Sequence, residues 1–142
     1  MSSAPGTAGT PPPPPPPFPV RFADILFVEG VLDTAGHNPK HRRVVVLTPN
    51  HALAAGYPIV AAPVSSQVPT VPTDDYVLLP FINPPGIRHP ATGLTRRAAI
   101  LRSWLVIVDP NDITGKSGYV PTAAMLAVQA ATAAAQALGG WP

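Results

Sequence analysis

Two adjacent arginines, Arg42 and Arg43, stand directly before the apolar run of residues 44–47. A short, continuous apolar block is typical of a strand that is buried on both faces. A guanidinium carries paired donors that match a phosphate group, and it keeps its charge at neutral pH. The arginine pair therefore indicates either a solvated strand end or a site for a phosphate or another anion.

The other charged residues are unevenly distributed, although the formal net charge is only +2. Most of the basic side chains form two blocks, residues 37–43 and 88–102, and the acidic side chains lie outside both. If folding brings the two basic blocks together, they form a surface that suits a polyanion.

The sequence lacks the residues that several kinds of chemistry require. The chain has no cysteine, which excludes a disulfide framework, a thiolate metal site and a cysteine nucleophile, and is in keeping with a reducing cytoplasm. It has no glycine-rich nucleotide loop and no zinc-type spacing, and its four histidines are scattered. We therefore expect any catalysis to proceed without a metal or another cofactor.

The elements that must position the arginines are short strands. Glycine, proline and other turn residues separate the apolar runs and set their bounds. The predicted strands cover residues 21–30, 43–48, 57–66, 76–81 and 98–108, the last as one bent strand or as two strands that meet near Arg102 and Ser103. The prolines of the third strand require an edge or a bulge, and Asp109 is a plausible cap for a turn or short helix.

The C-terminal segment is rich in alanine and predicts a helix over about residues 120–138, with Thr122 as its cap and Gly139 and Gly140 as its end. Alanine is only weakly apolar and two glutamines interrupt the segment, so its hydropathy is too low for a membrane-spanning helix. We therefore expect a helix that packs on the domain. Strands followed by a helix predict a mainly β fold with α: a small, strongly bent antiparallel barrel with helical decoration.

The first 19 residues differ from the rest of the chain. They contain 9 of the 22 prolines, seven of them consecutive, and no charged side chain. Such a segment favours a disordered, proline-rich tail, with a ligand for a proline-binding module as the alternative. It has neither the basic start nor the apolar centre of a signal peptide. The predicted folded domain is residues 20–142.

The order of four motifs is informative. These are "ADILFVEG" at 23–30, "RRVVVLTPN" at 42–50, "IVAAPVSSQ" at 59–67 and "HPATGLTRRAAILRSWLVIVD" at 89–109. In this order they resemble the MazF/PemK family of toxin endoribonucleases, over roughly residues 22–114. The resemblance implies an SH3-like antiparallel barrel with a short helix and a C-terminal helix.

The resemblance also implies a function. It places the family's functional arginine on Arg42 and its hydroxyl residue on Ser65, as the catalytic pair. The neighbouring residues expected to bind RNA are His41, Arg43, Ser66, Gln67, Arg96 and Arg97. It implies a metal-independent endoribonuclease that cleaves single-stranded RNA and inhibits growth, forms a homodimer and is blocked by a cognate protein antitoxin, whose complex binds DNA.

This chain departs from the family pattern at several positions. The loop "GHNPKHRR" replaces "G-x-E-Q-x-G-x-R-P", so that Arg43 stands where a proline is usual, and Ala23 replaces the glycine of the "GDI" start. The acid–base partner of Arg42 is therefore open, with His41 either filling that role or serving as an ordinary loop residue. A non-catalytic RNA- or protein-binding module of the same fold is the alternative function.

Overall fold

The computed structural model describes residues 19–70, 73–82 and 86–142. The predicted proline-rich tail, apart from Pro19, lies outside the described residues. The strands are β1 (Asp24–Val31), β2 (Lys40–Val46), β3 (Ile59–Ser65), β4 (Tyr76–Leu78), β5 (Ala99–Leu101), β6 (Val106–Val108) and β7 (Ile113–Tyr119). The helices are α1 (Asn50–Ala54), α2 (Thr122–Ala131) and α3 (Ala135–Gly139), with a 3-10 turn at Pro110–Asp112.

The strands form one antiparallel sheet in the order β4-β5-β3-β2-β1-β7, with β6 also paired to β3. This confirms the predicted mainly β class. The strand pairings of the described residues end at β4 and at β7. The predicted barrel is therefore wrong with respect to closure, because no pairing joins these two edge strands in that part of the chain and the sheet stays open.

Strand β2 is the centre of the core, as its apolar run predicts. Val44, Val45 and Val46 are completely inaccessible to solvent. Val45 packs in a cluster with residues of the C-terminal helices, whereas Val44 and Val46 pack in a second cluster on the opposite face of the sheet. The strand is therefore buried on both faces.

Strand β3 changes partners at Pro63. Its residues 59–61 pair with β6, and Val64 and Ser65 pair with β5 along the same edge. Pro63 lies between these two pairings, where a strand needs no donor on that edge. The proline is thus accommodated at a break in the ladder of a central strand.

The predicted last strand is two strands, β5 and β6, which flank a turn at Arg102 and Ser103. Asp109 caps the 3-10 turn, since its side chain accepts a hydrogen bond of 2.9 Å from the backbone N–H of Asn111. Strand β7 follows and was not predicted, because its sequence "ITGKSGY" lacks an apolar run. It nevertheless completes the far edge of the sheet beside β1.

The C-terminal segment differs from the predicted single helix. It divides into α2 and α3 at a turn over residues 132–134, where the Thr132 hydroxyl donates a hydrogen bond of 2.7 Å to the carbonyl of Val128. Such bonding back to the preceding turn bends helices. Pro121, not Thr122, is the cap residue, and Gly140 ends α3 with φ +78°. Among the described residues, no helix has both the length and the hydropathy to cross a bilayer.

The alanine that replaces the family's glycine adopts a left-handed backbone conformation, with φ +73° at Ala23. Its N–H donates to the carbonyl of Val46 and its carbonyl accepts from Val120, each at 2.9 Å. A left-handed conformation costs a residue with a Cβ roughly 1–2 kcal/mol. A glycine would adopt this conformation without the cost, so Ala23 holds local backbone strain.

Candidate phosphate-binding site

Arg42 and Arg43 lie on opposite faces of β2, because successive side chains of a strand alternate. Arg42 continues the face of Val44, and Arg43 continues the face of Val45. The two arginines therefore contact different side chains, although Arg42 lies at the boundary between the two clefts described below.

The first site, the Arg42 cleft, is an open depression of about 520 Å³ between the β1–β2 loop and the end of β3. Polar side chains dominate its lining. They are Asp33, Thr34, Asn38, Lys40, Arg42, Ser65, Ser66 and Gln67, together with Val64, Tyr76, Leu101 and Trp104. The cleft thus brings together Arg42, Ser65, Ser66 and Gln67 from the predicted site.

Two contacts fix the guanidinium of Arg42. Its Nε donates to the carbonyl of Val31 at 3.1 Å, and its Cζ lies 5.2 Å from the centre of the Trp104 ring. Trp104 is buried, and its indole N–H donates to the carbonyl of Leu32 at 3.2 Å. Loop and ring together orient the terminal nitrogens of Arg42, which suits the recognition of a phosphate.

No carboxylate neutralises Arg42 in the described structure. The pairs within 4.0 Å are Lys116 with Asp24, and His41 with Glu29, and neither includes an arginine. A positioned guanidinium without a protein anion can accept an external one.

Ser65 lies at the end of β3 on the same side of the sheet as Arg42. The β2–β3 register ends with Val44 opposite Pro63, and beyond that pair Arg42 and Ser65 both line the Arg42 cleft. The Ser65 hydroxyl oxygen accepts a hydrogen bond of 3.1 Å from the backbone N–H of Gln67. Its proton therefore remains available to a group in the cleft.

Asp33 organises the loop that forms one wall of the Arg42 cleft. Its carboxylate accepts hydrogen bonds from the N–H groups of Ala35 (3.0 Å) and His37 (2.9 Å) and from the side-chain amide of Asn38 (2.9 Å). The backbone bond from His37, followed by the bond from Asn38, lowers the pKa of Asp33 below its ordinary value. The loop is closed by its own residues, without the glutamate and glutamine of the family pattern.

We expect the order of this loop to depend on pH. Because the pKa of Asp33 is lowered in the folded state, its carboxylate stabilises the loop fully above the ordinary value of 3.8. This stabilisation is lost as the pH falls through the lower, folded-state pKa. In an NMR titration the amide resonances of Ala35 and His37 should move together below pH 3.8. Asp33→Asn should remove that common titration, and a step above 3.8 would contradict the assignment.

The second site, the Arg43 cleft, is a smaller depression of about 220 Å³ beside the first. It is lined by His41, Arg42, Arg43, Val64, Ser66, Leu94, Thr95, Arg96 and Ala98. Arg42 and Ser66 line both clefts. His41, Arg43 and Arg96 of the predicted site are thus brought together here.

His41 is held at the edge of the Arg43 cleft. Its Nε2 lies 2.8 Å from the Thr114 hydroxyl and 3.9 Å from a carboxylate oxygen of Glu29, and its ring stacks on Phe27 with centroids 5.6 Å apart. It does not line the Arg42 cleft.

Arg97 is not brought to either cleft. Its guanidinium donates to the carbonyls of Val68 (3.2 Å), Pro69 (2.7 Å) and Thr70 (3.4 Å). These bonds fix the loop after β3, so the contacts of Arg97 are structural ones. In the described parts of the chain, no three His, Asp or Glu side chains form a group that could hold a metal ion.

Two further residues act on the arginines of these sites. Trp104 is buried and also supports Arg42. Arg88, part of the second basic block, acts on Arg43 by charge and donates to the carbonyl of Ser117 at 3.2 Å. A buried tryptophan usually needs a hydrogen-bond partner for its indole N–H. This requirement could have indicated from the sequence that Trp104 contacts the loop beside Arg42.

A bent antiparallel sheet with short helices and a cleft at the end of its central strands defines the fold class. Among solved structures, the chain is similar to the Mycobacterium tuberculosis toxin MazF-mt6, with 18% identity, a TM-score of 0.56, and coverage of 79% of this chain and 94% of that one. It is also similar to MazF from Deinococcus radiodurans, with 14% identity, a TM-score of 0.60 and coverage of 87% and 99%.

A third similar structure is a mycobacterial endoribonuclease in complex with its cognate antitoxin, with 12% identity, a TM-score of 0.57 and coverage of 87% and 100%. No protein-family model matches the sequence, and a search of curated proteins finds no match. The predicted resemblance to MazF is confirmed, and at these identities it is the MazF fold that is shared.

Proposed function

We propose that this chain is the toxin of a type II toxin–antitoxin system and a metal-independent endoribonuclease for single-stranded RNA. The observation that carries the proposal is the Arg42 cleft, which Arg42 lines together with Ser65 and in which Arg42 has no carboxylate partner among the described residues. The shared fold supports it, because similar structures are described as a toxin and as endoribonucleases.

The reaction that suits these groups is an internal displacement at phosphorus. The 2′-oxygen of the RNA attacks the adjacent phosphorus, the bond from phosphorus to the 5′-oxygen breaks, and a 2′,3′-cyclic phosphate and a 5′-hydroxyl result. The 2′-hydroxyl loses its proton and the departing 5′-oxygen gains one. Arg42 stabilises the charge on the non-bridging oxygens, and Ser65 donates a hydrogen bond to the same phosphate.

Partners follow from the same proposal. The chain acts in the cytoplasm as a homodimer, and a cognate antitoxin covers Arg42 and competes with RNA. The support for an antitoxin is that similar structures include MazE–MazF complexes and an endoribonuclease with its cognate antitoxin.

A non-catalytic module that binds RNA or a protein is the second candidate. The observation that favours it is the position of the possible bases. Asp33, the carboxylate of the Arg42 cleft, already accepts three hydrogen bonds, and His41 lies at the edge of the neighbouring cleft. The described residues of the Arg42 cleft therefore supply an anion site, but they do not supply a free carboxylate or an imidazole as the base for the 2′-hydroxyl.

Incubation of the purified chain with single-stranded RNA in excess EDTA separates the two candidates. The endoribonuclease yields defined fragments under these conditions, and the fragments disappear with Arg42→Ala. Binding that depends on Arg42 without any fragments would instead establish the non-catalytic module.

A further inference from the structure

Two arginines besides Arg42, namely Arg43 and Arg96, line the Arg43 cleft, and a third, Arg88, acts on Arg43 by charge. Arg43 comes from the strand itself, and Arg88 and Arg96 come from the connection between β4 and β5. Arg43 is half-buried, with its Cζ 5.0 Å from the centre of the Phe27 ring. Burial first, and then the charges of Arg88 and Arg96, lower the pKa of Arg43. The arrangement therefore concentrates positive charge at a place where that charge is unfavourable.

The protein does not compensate this charge within the described residues. In residues 19–70, 73–82 and 86–142, no carboxylate lies within 4.0 Å of any of the three guanidinium groups. The Nε of Arg43 is buried and has no hydrogen-bond partner in that part of the chain. Buried donors are normally satisfied, and an exception calls for an explanation such as a bound group.

The segment that carries Arg88 is fixed against β7. The Nδ1 of His89 accepts hydrogen bonds from the N–H groups of Ala91 (3.1 Å) and Thr92 (3.2 Å). The Ser117 hydroxyl donates to the carbonyl of Thr92 at 2.8 Å, and Arg88 donates to the carbonyl of Ser117 at 3.2 Å. These bonds hold Arg88 in place, so its side chain does not move away from the positive charge of Arg43.

We propose that the Arg43 cleft binds a second phosphate of the RNA strand, adjacent to the phosphate held at Arg42. The two clefts share Arg42 and Ser66, so a single backbone can occupy both by passing over the end of β2. A phosphate there accepts hydrogen bonds from Arg43 and Arg96 and offsets the charge that Arg88 adds nearby. This inference rests on the proposed function for its ligand, RNA.

The test is the salt dependence of binding to a fluorescein-labelled, single-stranded 12-mer of mixed sequence with 2′-O-methyl riboses, which cannot be cleaved through the 2′-oxygen. Each phosphate contact to a single strand contributes about 0.7 to the slope of log affinity against log salt. Arg43→Gln should reduce the slope by about 0.7, which weakens binding about fourfold at 0.15 M salt. The matched control is Arg102→Gln, an exposed arginine in the β5–β6 turn, which should leave the slope unchanged.

Thermal unfolding adds a second readout. Because Arg43→Gln relieves repulsion among like charges, its Tm should equal or exceed that of the wild type, whereas loss of a merely structural contact lowers it. Arg96→Gln, at an exposed position, should reduce the slope in the same way and carries the test if Arg43→Gln folds poorly.

The outcomes separate this inference from the proposed function. If Arg43→Gln and Arg96→Gln match Arg102→Gln while the wild type cleaves RNA, the second phosphate site is overturned and the nuclease stands. If the wild type does not cleave RNA but both variants show the smaller slope, the phosphate site stands and the nuclease is overturned. If they weaken binding to polyglutamate and leave RNA binding unchanged, the cleft belongs to an acidic protein partner and the RNA assignment is overturned.

Discussion

Arg42→Ala is expected to lower the rate of RNA cleavage by about 10²–10³-fold, the usual effect of removing one preorganised donor to a charged transition state. The guanidinium is held by the carbonyl of Val31 and the ring of Trp104 and is not paired with a carboxylate in the described structure. Its charge is therefore directed at the cleft. Single-turnover cleavage of a labelled RNA measures the effect.

The control for this variant is Arg102→Ala, which removes the same charge from an exposed turn. Both variants should retain the circular dichroism spectrum of the wild type, because neither arginine belongs to the buried clusters. Equal rates for Arg42→Ala and Arg102→Ala would remove Arg42 from the reaction. An effect of Arg43→Ala larger than that of Arg42→Ala would exchange the roles of the two arginines.

Gly118→Ala should have the largest effect on stability. A Cβ at Gly118 would overlap the backbone carbonyl oxygen of Ala91 and lie 2.8 Å from the carbonyl carbon of Thr92. Backbone atoms cannot move aside as a flexible side chain can, so β7 and the segment before β5 must separate. We expect a loss of about 3 kcal/mol in the free energy of unfolding, at the upper end of the range for overpacked sites.

Gly115→Ala is the matched control for this prediction, since it adds the same methyl group to the same strand. Its Cβ would contact a side-chain atom and no backbone atom, since its neighbour is Cδ2 of Phe27 at 3.4 Å. Urea denaturation of both variants should show a large decrease in midpoint for Gly118→Ala and a small change for Gly115→Ala. Similar midpoints would mean that β7 and the segment at Ala91 do not approach each other as closely as the structure indicates.

The buried centre of the fold could be predicted from the sequence. The run of residues 44–47 is typical of a strand buried on both faces, and the order of four motifs indicates the MazF fold. Strand β7 could not be predicted, because its residues are mostly small or polar and its role is to pair with β1. The break between α2 and α3 depends on one hydroxyl, that of Thr132, in a segment whose alanines favour a continuous helix.

The candidate site could be predicted in part. Strand alternation already separates Arg42 from Arg43, but the sequence does not indicate what each one meets on its own face. Arg96 and Arg97 are equivalent in the sequence, yet one lines a cleft and the other binds three loop carbonyls. Such distinctions depend on contacts between segments that are far apart in the chain.

The central claim is that the 2′-hydroxyl of the RNA is the nucleophile at the Arg42 cleft. The most direct measurement uses one RNA that the chain cleaves and a second copy with a single 2′-deoxy nucleotide at the scissile position, both in EDTA, with end-group analysis of the products. We predict a 2′,3′-cyclic phosphate and a 5′-hydroxyl from the first RNA and no cleavage at that position in the second. Equal cleavage of the two RNAs would contradict the claim.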